Sequence, residues 1–190
     1  MPKPLLEILG GPNGSGKSTL AEVILQKRGP LFYINADTIA KGMNAASATG
    51  GAIEAARVML HAIHSALDAG ESFAFETTLA GKSWTALLRS VRSKGYEIVL
   101  YYVMLKNVDL AIERVARRVA LGGHRIPENV LRRRFTRSKD QFTKSYRQLA
   151  DKWFVFDNSS PSAQLIARKE NGGIVVLNDI FYEIFPNVTD

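Results

Sequence analysis

The stretch Leu5-Leu6-Glu7-Ile8-Leu9-Gly10-Gly11-Pro12-Asn13-Gly14-Ser15-Gly16-Lys17-Ser18-Thr19 decides the fold. Its first five residues form a short apolar run closed by glycine, the pattern of a buried strand. Gly11 to Ser18 match G-x-x-x-x-G-K-S, and Lys17 to Arg28 read as a helix, so the glycine loop lies between strand and helix as the motif requires. The physical reasons are specific. Glycines let backbone N–H groups converge on phosphates, and the helix N-terminus adds positive potential. Lys17 can reach β/γ oxygens and Ser18 can supply a magnesium ligand. The motif predicts a nucleotide site around Gly11, Pro12, Asn13, Gly14, Ser15, Gly16, Lys17, Ser18 and Thr19.

Outward from this loop the chain alternates strands and helices. Strands are expected at 31–35, 72–76, 97–105 and 153–157, and helices at 52–68, 82–94, 109–121 and 128–150. Gly122-Gly123-His124-Arg125-Ile126-Pro127 joins the last two helices as a hinge, its glycines ending one and its proline opening the next. Asn171-Gly172-Gly173 predicts a C-terminal hairpin within about 163–178. This order implies an α/β fold: a three-layer arrangement with a mostly parallel central sheet flanked by helices, and ligands at the strands' carboxyl ends. No repeat or linker divides the chain, so 1–190 reads as one domain.

Composition narrows the function. The chain has 190 residues, no cysteine, 25 Lys/Arg against 18 Asp/Glu and a net charge of +7. Disulfides, thiolate metal sites and cysteine nucleophiles are thereby excluded. No apolar run reaches the ~20 residues of a membrane span, and Glu7 interrupts any N-terminal signal pattern, so a cytoplasmic location without membrane contact is expected. Residues 111–150 hold eleven Lys/Arg and three Asp/Glu, which places the whole cationic excess in one arginine-rich helical lid, about 109–150. Such a block suits either a nucleotide's phosphates or nucleic acid. Its aromatics, Phe135, Phe142 and Tyr146, fall at helical spacing as one buried stripe, and nucleic acid is the less expected partner.

Two acids lie at predicted strand ends beside the loop, Asp37 in Asn35-Ala36-Asp37-Thr38 and Glu76 in Phe75-Glu76-Thr77-Thr78. Either can accept a hydroxyl proton or hold magnesium through water, while helix capping is the bland reading of Asp37. Arg114, Arg117 and Arg118 share roughly one helix face, and Arg125 sits on the hinge, from which a guanidinium can reach a transferring group as a lid closes. Arg132, Arg133 and Arg134 are consecutive and cannot all face one site. His124 can orient the hinge or touch substrate, and Trp84 can border a pocket. Trp153 is expected in the core, and His61 and His64 are expected to be partly buried helix residues rather than metal ligands.

Gly10 to Thr19, Asn35-Ala36-Asp37-Thr38 and Phe75-Glu76-Thr77-Thr78-Leu79-Ala80-Gly81 together resemble the zeta-toxin family of P-loop kinases. Asn107 to Val115 and Gly122 to Pro127 look like its short bacterial members, and the matches span roughly 5–160. The resemblance implies a kinase that uses ATP and Mg2+ to phosphorylate a hydroxyl of UDP-N-acetylglucosamine or a related nucleotide sugar. Some relatives act on other hydroxyl compounds, including dinucleotides, and several are toxins held by a small antitoxin. On this resemblance Lys17 and Ser18 take the phosphate and magnesium roles, and Asp37 is the base. Glu76 matches an acid of the substrate site, and Arg114 and Arg125 match two arginines that clamp the phosphates. Thr77, Thr78 and His124 are further candidates for substrate contact, and Arg118 for the nucleotide. The competing expectation is a P-loop ATPase, or a nucleotide-dependent module that binds nucleic acid or protein.

Overall fold

The computed structural model describes residues 2–26, 31–42 and 50–188. In chain order it runs β1 (Leu5–Gly10), α1 (Lys17–Gln26), β2 (Phe32–Ile34), α2 (Ala36–Gly42), α3 (Gly50–Ala69), β3 (Phe73–Thr77), α4 (Ser83–Ser93) and β4 (Glu97–Met104). It continues with α5 (Val108–Ala120), α6 (Glu128–Gln141), a π-helical turn (Phe142–Tyr146), α7 (Arg147–Leu149), β5 (Lys152–Asp157), β6 (Gln164–Glu170), β7 (Gly173–Val176) and α8 (Ile180–Ile184). Lys27 and Arg28, the expected end of the first helix, lie outside the described residues.

One sheet of seven strands has the order β2-β3-β1-β4-β5-β6-β7. The first five are parallel; β6 and β7 run antiparallel, as the predicted hairpin requires. Asn171 and Gly172 turn this hairpin with φ of 53° and 86°, the pair of positive values that matches the twist of the two strands. β1 and β4 are central and buried on both faces, which is why they read as nearly unbroken apolar runs.

Alternation along these strands sorts side chains into two layers. Leu6, Ile8, Phe73, Phe75, Ile98, Leu100 and Tyr102 pack with Ile63, Leu88, Phe142, Tyr146 and Phe181 from the helices on one face. Leu9, Ala74, Val99 and Tyr101 pack against Ala21 of α1 on the other. Glu7, on that second face and fully buried, accepts a hydrogen bond from the Tyr101 hydroxyl at 2.8 Å. Trp153 lies wholly in the core, whereas His61 and His64 are exposed on α3, not partly buried as expected.

The register sets the functional edge. Leu9 pairs with Glu76 and Gly10 with Thr77, while Ile34 pairs with Phe75. The residues that follow each strand, the Gly11–Gly16 loop, Asn35 and Thr78, therefore emerge side by side at the carboxyl ends of β1, β2 and β3.

Candidate active site

The loop after β1 has the shape the motif predicts. Gly14 and Gly16 have φ of 78° and 89°, and a Cβ on either would lie 2.6 Å from the Ala111 carbonyl oxygen or 2.3 Å from the Asn158 amide nitrogen. Glycine is required at both positions for its backbone freedom and for the close approach of α5 and the chain beyond β5. Asn158 also donates to the Ser15 carbonyl at 2.8 Å, so the loop is pinned from the far side by a residue that no motif marks. The Ser15 side chain is buried beneath the loop.

Lys17 is almost wholly buried at the start of α1. Its Nζ donates to the Pro12 carbonyl at 2.9 Å and lies 3.8 Å from Glu76 Oε1. Burial pushes its pKa below the usual 10.5, the nearby carboxylates of Glu76 and Asp37 pull it back up, and Arg118 and Arg134 push it down. A cation so placed gains from any anion that enters the loop.

Glu76 is the hub of this edge. Its Oε2 accepts from Ser18 Oγ at 2.8 Å, from the Tyr33 hydroxyl at 2.7 Å and from Asn35 Nδ2 at 2.9 Å. Desolvation and the Glu76 charge raise the pKa of Tyr33, which keeps this phenol a donor. The Ser18 hydroxyl and the Glu76 carboxylate thus present two hard oxygen donors within a hydrogen bond of each other beside the phosphate loop. That donor set fits Mg2+, which binds few protein ligands and completes its octahedron with phosphate and water. Among the described residues no group of three or more His, Cys, Asp or Glu forms an all-protein cage.

Asp37 is freed from the capping role by its neighbour. Asn35 Oδ1 accepts from the N–H groups of Asp37 at 2.8 Å and Thr38 at 3.4 Å, so Asn35 caps α2. The Asp37 side chain, 73% exposed, projects into the cleft and meets Arg118 Nη1 at 3.4 Å. Thr77 builds the next turn, accepting from the Leu79 N–H at 3.2 Å where Leu79 has a φ of 53°.

These groups line a cleft of about 640 Å³. From the loop and α1 come Asn13, Gly14, Gly16, Lys17, Ser18 and Thr19; from the other strand ends come Asn35, Asp37, Glu76, Thr77 and Thr78. Ala56, Met59 and Trp84 form an apolar wall, with Trp84 packed on Phe75 at a ring separation of 4.8 Å. Arg114 and Arg118 enter from α5 and Arg134 from α6.

Some expected residues lie elsewhere. Pro12 contributes its carbonyl to Lys17 and lines a smaller cavity behind the loop, and Gly11 is buried. Arg117 turns outward to Glu113 at 3.0 Å because a 100° step per residue takes it off the Arg114–Arg118 face. His124 and Arg125 are exposed on the 121–127 loop and do not line the cleft; among the described residues the His124 carbonyl is tied to it, 3.5 Å from Arg118 Nη2. Sequence reasoning missed Tyr33, Asn158 and the inward turn of Arg134. The mixed Ile34-Asn35 end of β2 held a signal for Asn35, since asparagine directly before a helical stretch is a capping pattern.

The zeta toxin family model matches residues 1–180. The chain belongs to the zeta-toxin family. An uncharacterised protein of Haemophilus influenzae is 30% identical over 125 residues, covering 66% of this chain and 88% of its own. Among solved structures, one from the PezAT chromosomal toxin–antitoxin system of Streptococcus pneumoniae superposes with a TM-score of 0.69 at 14% identity, covering 100% of this chain and 81% of that one. The AvrRxo1-ORF1:ORF2 structure with ATP gives 0.73 at 17% identity over 98% of this chain and 65% of that one. A gluconokinase from Sinorhizobium meliloti gives 0.54 at 20% identity, over 84% and 85%. At these identities the structures establish the fold this family member shares with P-loop kinases, and membership of the family supports a kinase-type function.

Proposed function

We propose that this chain is an ATP-dependent kinase that transfers the γ-phosphoryl group to a hydroxyl of a small molecule, a nucleotide sugar being the acceptor class its family suggests. The observation that carries the reading is Asp37: an exposed carboxylate across the cleft from Lys17 and Ser18, released from capping by Asn35 and held in place by Arg118. In the reaction Asp37 accepts the hydroxyl proton, the acceptor oxygen forms a bond to the γ-phosphorus, and the bond to the ADP oxygen breaks. Lys17 exchanges the Pro12 carbonyl for β/γ oxygens, and Arg114 and Arg118 meet charge that develops on the transferring group. Ser18 and Glu76 would hold Mg2+, which when bound neutralises the β/γ oxygens. Tyr33 and Asn35 keep the Glu76 carboxylate aimed at Ser18. The hinge arginine Arg125 and His124 join the cleft on closure of the 121–127 loop, and a small antitoxin is the protein partner that the family suggests.

The test incubates the protein with ATP, Mg2+ and a panel of UDP-sugars, dinucleotides and aminosugars, with mass spectrometry for one added phosphoryl group. Asp37→Asn is expected to keep ATP affinity and to lose transfer by about 10²–10⁴-fold, the usual worth of a positioned base. Unchanged turnover in Asp37→Asn removes Asp37 from the mechanism. Release of ADP and phosphate with no phosphorylated acceptor favours a P-loop ATPase instead.

A further inference from the structure

Arg132, Arg133 and Arg134 form a run of three cations within α6, and the helix deals them to three different surroundings. Arg132 bridges Glu128 at 2.8 Å and Asp109 of α5 at 3.1 Å, fastening the two lid helices together. Arg133 is exposed. Arg134 falls on the packed side of α6, three residues after buried Leu131 and four before buried Ser138, whose hydroxyl accepts from Tyr102 of β4 at 3.2 Å. Its half-buried guanidinium lines the cleft, and Nη1 donates to Asn13 Oδ1 in the phosphate loop at 3.3 Å.

This contact leaves the cation poorly satisfied. A guanidinium has five N–H donors, and Asn13 is a neutral acceptor. Among the described residues no carboxylate forms an ion pair with Arg134, whereas Arg92, Arg117 and Arg168 each have one and Arg132 has two. A half-buried charge without a counter-charge is costly unless an anion completes it. The position says which anion. Lys17 Nζ rests on the Pro12 carbonyl, the residue beside Asn13, so Arg134 meets the loop at the end where Lys17 waits for the β/γ oxygens. We propose that Arg134 is a ligand of the γ-phosphate, binding it through the guanidinium fork and carrying α6 onto the nucleotide. The inference rests on the kinase reading for its purpose, but its geometry belongs to the phosphate loop alone.

The experiment measures equilibrium affinity, with Mg2+ present, for ADP and for the non-hydrolysable β,γ-imido analogue of ATP. Wild type is expected to prefer the analogue. Arg134→Ala is expected to reduce that preference about 10- to 100-fold, the worth of a charge-assisted pair, while ADP affinity stays within a few-fold and so reports an intact fold. Arg134→Lys retains part of the preference, since it keeps the charge and loses the fork. Arg133→Ala leaves it unchanged. Three results overturn the assignment: a wild type that does not favour the analogue, an Arg134→Ala preference equal to wild type, or an equal fall for ADP and analogue. The kinase reading fails separately. A protein that discriminates the analogue through Arg134 yet phosphorylates no acceptor loses the proposed reaction and keeps this site; one that transfers phosphate with discrimination untouched by Arg134→Ala does the reverse.

Discussion

At the residue scale the site is a set of groups whose costs in the free protein are recovered on ligand binding. Lys17 is the clearest. Burial lowers its pKa, so the folded state binds this proton less readily than the unfolded chain does. The resulting penalty is present in full below the depressed folded value and fades as pH rises from there towards 10.5. Lys17→Met is therefore expected to abolish nucleotide binding while raising the melting temperature of the free protein, by about 2–4 °C for each kcal/mol recovered. A lowered melting temperature would mean that the Pro12 and Glu76 contacts outweigh desolvation. Glu76 poses the complementary case. Tyr33→Phe removes one of three donors to its carboxylate without touching the cleft's phosphate end, so magnesium-dependent turnover is expected to fall more than affinity for metal-free ATP. Lys17, Ser18, Asp37 and Glu76 were legible as cleft residues because the motif set the first two at the start of α1 and the pattern set the acids at the carboxyl ends of β2 and β3. Tyr33 and Asn158 were not, because each acts through a contact made by chain 43 and 143 residues away.

At the element scale, legibility followed length and periodicity. The long helices and buried strands were read within a few residues, but α2 is only seven residues long and α8 five, too short to establish a period. The stretch 128–150 read as one helix, and the structure divides it. A π-helical turn at Phe142–Tyr146 admits an extra residue per turn and buries both aromatics completely. Phe142 stacks on Tyr102 at 4.4 Å, and the Tyr146 hydroxyl donates to the Gly81 carbonyl, its pKa pushed up to about 12 by burial. Phe135, expected in the same stripe, is only partly buried and lines the smaller cavity. The start of α5 is set by a different device: Asn107 caps it, accepting from the Leu110 N–H at 2.9 Å. Asn107→Ala is expected to cost about 1 kcal/mol in chemical denaturation. Because α5 carries Arg114 and Arg118, it should also weaken ATP binding; loss of stability with unaltered affinity would uncouple the cap from the site.

At the scale of the whole molecule the cationic excess has several fates, which composition alone could not separate. Arg117 and Arg132 are consumed by carboxylates, Arg133 faces solvent, and Arg114, Arg118 and Arg134 turn inward. Strand order likewise lay beyond the sequence, since periodicity identifies strands but crossovers decide which are neighbours. The cleft that results gathers four cations, Lys17, Arg114, Arg118 and Arg134, against two carboxylates, Asp37 and Glu76. The Lys17–Glu76 and Arg118–Asp37 pairs offset only part of the mutual repulsion in the free protein, and a triphosphate removes the rest. Binding to the folded state alone adds about 2.7 kcal/mol at a ligand concentration one hundred times Kd, which for a chain of this size raises the melting temperature by about 5–10 °C. ATP with Mg2+ is expected to give that shift in a thermal melt, and chelating the Mg2+ should shrink it, because Glu76 then faces the β/γ oxygens without a cation between them. Generic duplex DNA should give little shift at physiological salt, since Arg114, Arg118 and Arg134 line the cleft and Arg117 and Arg132 are paired with carboxylates. A larger shift from DNA than from MgATP, falling steeply with salt, would transfer the basic segment from the nucleotide to nucleic acid and with it the case for the binding module.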